Sequence, residues 1–347
     1  MLIGAAALEA LTGRIFAAAG CAPDEAACVA RHLVDSNLCG HDSHGVLRIP
    51  RYLALIRDGV VHPGRRGRVL FESATALVID GEMGLGQVIV EDAMTRLAAK
   101  AKASGMALAT IRNCGHAGRL GDWAEQLAGH DLISLHFLKT VGLGAIPFGG
   151  SDRRLALNPL AACVPVPGRP PVLLDVTTTT VAEGKLAVAR NKGERVPPGT
   201  IVDKHGQPTT DPNDFYAGGA LLTMGGHKGY GLNVITDLLT GGLSGGGCTG
   251  PGETKLVNTV TALAIDPTPF TDRQAYVAEI VRYLDWVKGS PPSQPGGEVL
   301  LPGEIEHRTR QDRRAGGVPL DDATWRQIVE GAATVGIDEA TLRADAA

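Results

Sequence analysis

The sequence predicts an α+β fold, a mixed-sheet body with a helical N-terminal part in front of it. Three observations predict it. Residues 4–60 carry helical spacing almost throughout. From about residue 69 short alternating runs of strand type appear between amphipathic stretches. Those strands and helices do not alternate strictly, which argues against a doubly wound parallel sheet.

Each element follows from local signals. "AAALEALTGRIFAAAG" has helical spacing and ends at Gly20, a residue suited to a C-cap. "APDEAACVARHLVDSNLCG" puts Pro23 and two acids into a first turn and ends at Gly40. A third helical piece starts near Asp42 or Ser43, both good N-caps, and runs to Gly59, with Pro50 imposing a kink or a restart. "RVLFESATALVIDGEMG" reads as strand, turn and strand, and "GQVIVEDAMTRLAAKAKASG" as an amphipathic helix ending at Gly105. Further strands are expected in "MALATIRNCG", "LISLHFL", "RLALNPLAACVPV", "PVLLDVTTT" and "TVTALAIDP". Further helices are expected in "GRLGDWAEQLAGHD", "TVAEGKLAVARNKGE", "HKGYGLNVITDLLTGGLSGG", "TDRQAYVAEIVRYLDWVKGS" and "TWRQIVEGAATVG". "SPPSQPGG" at 290–297 is a loop. Residues 1–68 plus 300–347 are therefore expected to form a helical domain, with the C-terminal helices rejoining the N-terminal ones. Residues 69–299 form the body, with room for a small helical subdomain.

Composition narrows the function classes. Lys plus Arg number 33 against 37 Asp plus Glu, for a net charge of −4. That balance gives no footprint for nucleic acid or an anionic membrane. No uninterrupted apolar run reaches the roughly 18 residues of a membrane span, and Glu9 and Arg14 mark the N-terminal stretch as a helix and not a signal peptide. A cytoplasmic enzyme is the default expectation. The cysteines at 21, 28, 39, 114, 163 and 248 lack any C-x-x-C or zinc spacing. They are expected to be buried small hydrophobes, and no metal site is expected.

The usual nucleotide loops fail. "GLGQVI" at 84–89 lacks the third glycine of G-x-G-x-x-G, "GHAGRLG" at 115–121 has the wrong spacing, and "GLGAIPFGG" at 142–150 is not followed by a helix. In "GGHKGYG" the lysine precedes glycine, which breaks the P-loop pattern, and G-x-S-x-G is absent.

Four stretches carry chemistry. In "DSHGVLR" an α-helix would stack His44 and Arg48 on one face, pairing a group that moves protons near neutral pH with one that grips carboxylates bidentately. The plain alternative is a capping or packing histidine. In "RNCGHAGRLGDW", His116 lies in a glycine-rich strand-to-helix turn whose amides could hold an anion, or it caps that turn. In "LLDVTTTTVAEGK", Asp175 ends an apolar run and could orient a histidine or relay its proton, while the threonines suit phosphate or ribose; a Thr-rich strand end is the alternative. In "MGGHKGYGL", glycines around Lys228 allow close backbone approach to a phosphate or carboxylate, or make a flexible turn.

Taken together, these stretches resemble the type 2 malate/L-lactate dehydrogenases, a family that includes sulfolactate and ureidoglycolate dehydrogenases, diketogulonate reductases and piperideine-2-carboxylate reductases. "GHDSHGVLRIPRYL" is similar to the family's S-H-G-x-x-R segment, "GHAGRLGDWA" to its H-F-G-x-A-G turn, and "PFGGSDRRLALNP" to its P-x-G-G and N-P elements. "LLDVTTTTVAEGK", "VDKHGQPTTDP", "GGHKGYGL" and "LPGEIEHRTR" complete the order along nearly the whole chain. The resemblance implies a non-Rossmann, sulfolactate dehydrogenase-like fold, NAD or NADP as cofactor, a small carboxylate substrate and a homodimer. It implies hydride transfer between a 2-hydroxy acid and a 2-oxo acid. The alternatives it leaves open are reduction of a cyclic imino acid or of a diketo-sugar acid. Outside enzymes, the rival is a metabolite-binding module.

By the same resemblance His44, His116, Asp175 and Ser43 are the catalytic candidates, with His44 and His116 competing for the proton donor's role. Arg48 and Thr140 are the substrate candidates. Asn158, Thr177, Thr178, Lys228, Gly303 and Glu304 are the cofactor candidates, and Arg153, Arg154 and Arg190 are candidates for a 2′-phosphate. Two departures stand out: Ala117 where the family usually has phenylalanine, and "HFLKTVG" in place of a T-N-S segment. They lead to the expectation that Ala117 and Lys139 enlarge or recharge the substrate site.

Overall fold

The computed structural model describes residues 1–251 and 257–346. From the N-terminus run β1 (Leu2–Ile3), α1 (Ala5–Ala18), α2 (Pro23–Leu38) and α3 (Ile49–Arg57), followed by β2 (Arg68–Glu72), β3 (Ala76–Asp80) and α4 (Gly86–Ser104). Next come β4 (Met106–Cys114), α5 (Leu120–Ala128), β5 (Ile133–Lys139), β6 (Leu160–Val164), β7 (Val172–Val176) and α6 (Glu183–Lys192). The middle of the chain forms β8 (Ile201–Val202), β9 (Pro208–Thr209), α7 (Pro212–Tyr216), β10 (Ala220–Leu221) and α8 (His227–Asp237). It closes with β11 (Asn258–Ile265), α9 (Arg273–Lys288), α10 (Glu304–Gly316), β12 (Val318–Pro319), α11 (Asp322–Ala333) and α12 (Glu339–Ala346).

The principal sheet has seven strands in the order β2-β3-β4-β11-β5-β6-β7. β3 and β4 pair in parallel, while the other neighbours are antiparallel. This is a mixed α+β sheet, as the irregular order of strands and helices predicts. Alanines Ala107, Ala109, Ala262 and Ala264 make the middle of the sheet thin, so α4 and α5 pack closely on it through Met94, Leu97, Trp123 and Leu127. A second core joins α1, α2 and α3 to α11 and α12 through Leu8, Phe16, Leu33, Trp325 and Ile328. β1 pairs with β12, and the N-terminal ammonium donates to the Leu320 carbonyl at 2.7 Å, so the two chain ends meet. A third core, of Ala145, Leu186, Ile201, Phe215 and Leu221, lies around α6, α7 and the sheet β10-β8-β9.

At Pro50 the chain takes the restart that the sequence offered beside a kink: α3 begins at Ile49 with proline in its first turn, where a missing N–H costs nothing. The structure differs from the sequence expectation in two places. The helix α10 carries charge on nearly every face, "EIEHRTRQDRRAG", so no apolar stripe announces it. It is held instead by ion pairs of Arg310 and Arg313 to α2 and to the segment after it. Of the six cysteines, Cys248 is exposed and the other five are buried.

Candidate active site

The segment carrying His44 is not an α-helix. It is two single 3₁₀ turns, Asp42–His44 and Val46–Arg48, separated by an extended Gly45. His44 and Arg48 therefore do not stack one above the other as helical spacing would place them. The Arg48 Nε instead folds back to donate to the Ser43 carbonyl at 2.6 Å, which leaves its two terminal nitrogens for a ligand. Asn37 of α2 straddles the pair of turns. Its Oδ1 accepts from the Val46 amide at 2.8 Å and its Nδ2 donates to Asp42 at 2.7 Å, while Arg313 holds Asp42 from the other side. A side chain at position 45 would meet Asn37 Oδ1 at 2.1 Å, which is why glycine stands beside His44.

His116 arrives from the opposite direction, in the turn between β4 and α5. Three buried groups fix that turn. Asn258 accepts from the Ala117 amide at 2.8 Å, His32 Nε2 accepts from the Arg119 amide at 2.9 Å, and Trp123 donates to the Ala117 carbonyl at 2.9 Å. His32 is clamped in turn by Asp122 at 2.5 Å and stacks on Trp123. The Arg119 side chain is fully buried and bonds Asp35 and Glu125, which Arg310 also bridges. Asp35, Cys39 and Glu125 lie close enough to share an ion, but both carboxylates are already neutralised by these two guanidinium groups.

The two histidines meet. Their ring centroids are 5.8 Å apart and nearly parallel, at 18°. Ser43 Oγ lies 3.1 Å from His44 Nδ1, and the Tyr52 hydroxyl lies 2.6 Å from His116 Nδ1. Gln87 donates to that hydroxyl at 2.9 Å. Burial, then the charge of Arg48, pushes His44 down to about 3, and burial with Arg48 and His44 pushes His116 well below its ordinary range. Both imidazoles are thus neutral without substrate. A carboxylate bound at Arg48 would relieve part of that repulsion and ease protonation.

Asp175, near the end of β7, accepts from the Gly121 amide at 2.7 Å, and burial raises its carboxyl above the usual range. No hydrogen bond joins it to His44 or His116 among the described residues; the charges that reach it are those of Arg119, His41 and Glu306.

Several cofactor candidates gather elsewhere. Asn158 is fully buried with both its amide nitrogen and its oxygen engaged: it accepts from the Thr140 amide at 3.2 Å and donates to Asn233 and Asp237. Thr140 Oγ1 in turn accepts from the Leu157 amide at 3.1 Å, so Thr140 joins this network with its hydroxyl proton still to donate. Thr177 and Thr178 both donate to the Leu157 carbonyl. Thr179 bridges to Thr223, which brings the threonine turn beside the Gly225-Gly226 turn and the exposed Lys228 in the first turn of α8. Gly303, at φ +91°, packs on Leu173, and Glu304 pairs with Lys288 at 2.5 Å.

Three expectations are corrected. Ala117 is fully buried in the core beneath the sheet helices, with no surface to offer a ligand, and Lys139 is buried with its ammonium on the Gly247 carbonyl at 2.9 Å. Arg153 commits all three guanidinium nitrogens to the carbonyls of Gly219, Leu143 and Phe215, so the group is pinned there and only two of its five N–H donors remain. The sequence reading missed Asn37, His32, Tyr52 and Gln87. Tyr52 follows Arg48 by four residues within the same quoted stretch, a signal that could have found it; the others come from distant helices and had none.

Comparisons with known proteins bear on this geometry. Residues 3–329 match the family described as malate/L-lactate dehydrogenase. Hydroxycarboxylate dehydrogenase B of Escherichia coli O157:H7 is 37% identical over 345 residues, covering 97% of this chain and 95% of that protein. The solved sulfolactate dehydrogenase of Methanocaldococcus jannaschii superposes with a TM-score of 0.88 at 31% identity, over 97% of this chain and 98% of that one. The Δ1-piperideine-2-carboxylate reductase of Pseudomonas syringae superposes with a TM-score of 0.84 at 28% identity, over 95% of this chain and 99% of that one.

Proposed function

The chain belongs to the malate/L-lactate dehydrogenase family, and on that footing we propose that His44, His116 and Arg48 form its reaction centre. The protein is a nicotinamide-dependent oxidoreductase that interconverts a 2-hydroxy acid and a 2-oxo acid. The observation that carries the site assignment is the convergence of two half-buried imidazoles 5.8 Å apart beside a guanidinium with both terminal nitrogens free of hydrogen bonds among the described residues.

Arg48 grips the substrate carboxylate. His44 passes a proton to the carbonyl oxygen in reduction and takes it from the hydroxyl in oxidation, with Ser43 steadying its Nδ1. Asp175 anchors the start of α5 and acts on His116 through that turn. Hydride is the chemistry that a bound nicotinamide supplies here. The residues fit such a cofactor: Gly225 and Gly226 both take positive φ, and an exposed Lys228 follows them at a helix start suited to phosphate. Thr177 and the backbone beside it would contact the ribose and phosphates, while Asn158, Thr178 and Thr140 shape that loop from beneath. Gly303 and Glu304 would close the far edge of the cofactor groove.

NAD and NADP differ by one phosphate. Arg190, stacked 4.3 Å over Tyr216, and the exposed Arg154 are the cations left to meet it. A second copy of the chain would cover the apolar stripe of Leu232, Ile235 and Leu238 on and after α8. Six free cysteines, five of them buried, support a reducing, cytoplasmic location.

Oxidation of NADH and of NADPH, run side by side against 2-oxo acids, a cyclic imino acid and a diketo-sugar acid, tests the reading. Turnover on a 2-oxo acid is expected. Turnover confined to the cyclic imine would favour the second reading, which the likeness to the piperideine-carboxylate reductase supports.

A further inference from the structure

His116 receives two donors at one nitrogen. The Gly118 amide points at Nδ1 from 3.3 Å, and the Tyr52 hydroxyl lies 2.6 Å from the same atom. A backbone amide can only donate, which marks Nδ1 as the lone-pair nitrogen and Nε2 as the protonated one; at 3.3 Å that contact is too long to hold the tautomer by itself, and the short Tyr52 bond supplies the rest. The Tyr52 oxygen, already accepting from Gln87 at 2.9 Å, turns its own proton toward His116. Tyr52 and Gln87 are both buried and sit on the separate helices α3 and α4, so this chain is fixed by packing.

We propose that Tyr52, oriented by Gln87, is a positioning residue that locks His116 as the neutral Nε2–H tautomer. This rests on the reaction centre described above and divides its labour. His116 donates a hydrogen bond to the substrate's reacting oxygen, and His44 alone exchanges the proton. A cationic His116 would need a proton at Nδ1, which would strand the Gly118 amide and force the Tyr52 hydroxyl to reverse. Burial pushes the Tyr52 phenol up to about 12, so it stays a donor. His44 is not locked in this way: its Nδ1 faces the Ser43 hydroxyl at 3.1 Å, which donates or accepts by rotating. One fixed neutral ring beside one titrating ring also avoids two cations 5.8 Å apart.

Long-range proton–nitrogen correlation spectra of the full chain with isotope-labelled histidine read each ring's tautomer directly, with His44→Gln and His116→Gln for assignment. The expected result is Nε2–H at His116 in the unsubstituted protein and a mixture of tautomers in Tyr52→Phe. Gln87→Leu should give a smaller shift the same way. Tyr52→Phe should also lower kcat about tenfold with unchanged reduced-nicotinamide affinity. Nδ1–H in the unsubstituted protein, or an unaltered tautomer in Tyr52→Phe, would overturn the lock. The spectrum needs no turnover: a single Nε2–H tautomer lost in Tyr52→Phe supports the lock even if every 2-oxo acid proves inert, an outcome that would overturn only the substrate reading.

Discussion

In the proposed reaction centre, His44 and Arg48 divide the work at the smallest scale. Arg48 uses Nε on the Ser43 carbonyl and keeps Nη1 and Nη2 for the substrate, a geometry that lysine cannot copy. Arg48→Lys should raise the substrate KM about tenfold to a hundredfold and leave the cofactor KM alone, as initial rates would show. An equal rise in both constants would contradict the assignment. The pH dependence follows from the sign of the His44 shift. Its value in the free protein, about 3, lies below the ordinary histidine range, so at neutral pH the ring is a base and not an acid. Between about pH 5 and 8, kcat/KM for hydroxy-acid oxidation should therefore stay flat as far as His44 is concerned. For 2-oxo acid reduction it should fall as pH rises, since the protonated ring becomes scarcer. The opposite ordering in rate–pH profiles would mean that another group supplies the proton.

At the scale of elements, the site depends on two turns and the helices behind them. Asn37 occupies the space a side chain at 45 would need, and it satisfies the Val46 amide and the Asp42 carboxylate at once. Gly45→Ala should destabilise the protein by about 1–3 kcal/mol, read as a fall in Tm, because the carboxamide must move and both bonds weaken. A Tm equal to that of the unsubstituted chain would show that the turn pair yields freely. The same elements show how much could be read from sequence. Strong periodicity and glycine caps announce α1, α2 and α4, and alternation announces strands such as β3 and β6, because those elements bury one face. The turns at 42–48 carry helix-compatible residues, and only the contact with Asn37, a tertiary event, decides for two 3₁₀ turns over a helix. For α10 the stabilising partners are charged groups from α2 and α5, which leave no periodic trace. Among site residues, motif spacing found His44, Arg48 and His116. It could not find Gln87 or Asn37, whose roles arise from helices crossing, nor show that Asn158 and Thr178 have their side chains turned inward.

The whole molecule inherits consequences from its buried histidines. His136 on β5 is fully buried, has no partner for either ring nitrogen among the described residues, and is pushed down to about 3 by burial alone. His44 and His116 are depressed too. A group whose folded pKa lies below its unfolded value loses stability as pH falls, because only the unfolded chain takes up the proton. Stability should decline from about pH 6.5 toward 3 for this reason, with the raised Asp175 carboxyl pulling weakly the other way. His136→Leu should keep the fold at neutral pH and flatten that acid limb in urea titrations; an unchanged limb would contradict the role given to His136. The apolar stripe after His227 is a property of the whole surface as well. Sedimentation should find a dimer, and Ile235→Glu with Leu238→Glu should shift it toward monomer; a native monomer would show that the stripe serves otherwise. The central claim, proton exchange by His44 on a carboxylate held by Arg48, is tested most directly by His44→Ala. Steady-state turnover with the best 2-oxo acid should fall about a hundredfold or more, while fluorescence titration finds reduced-nicotinamide binding unchanged. Turnover within about twofold of the unsubstituted enzyme would contradict the account.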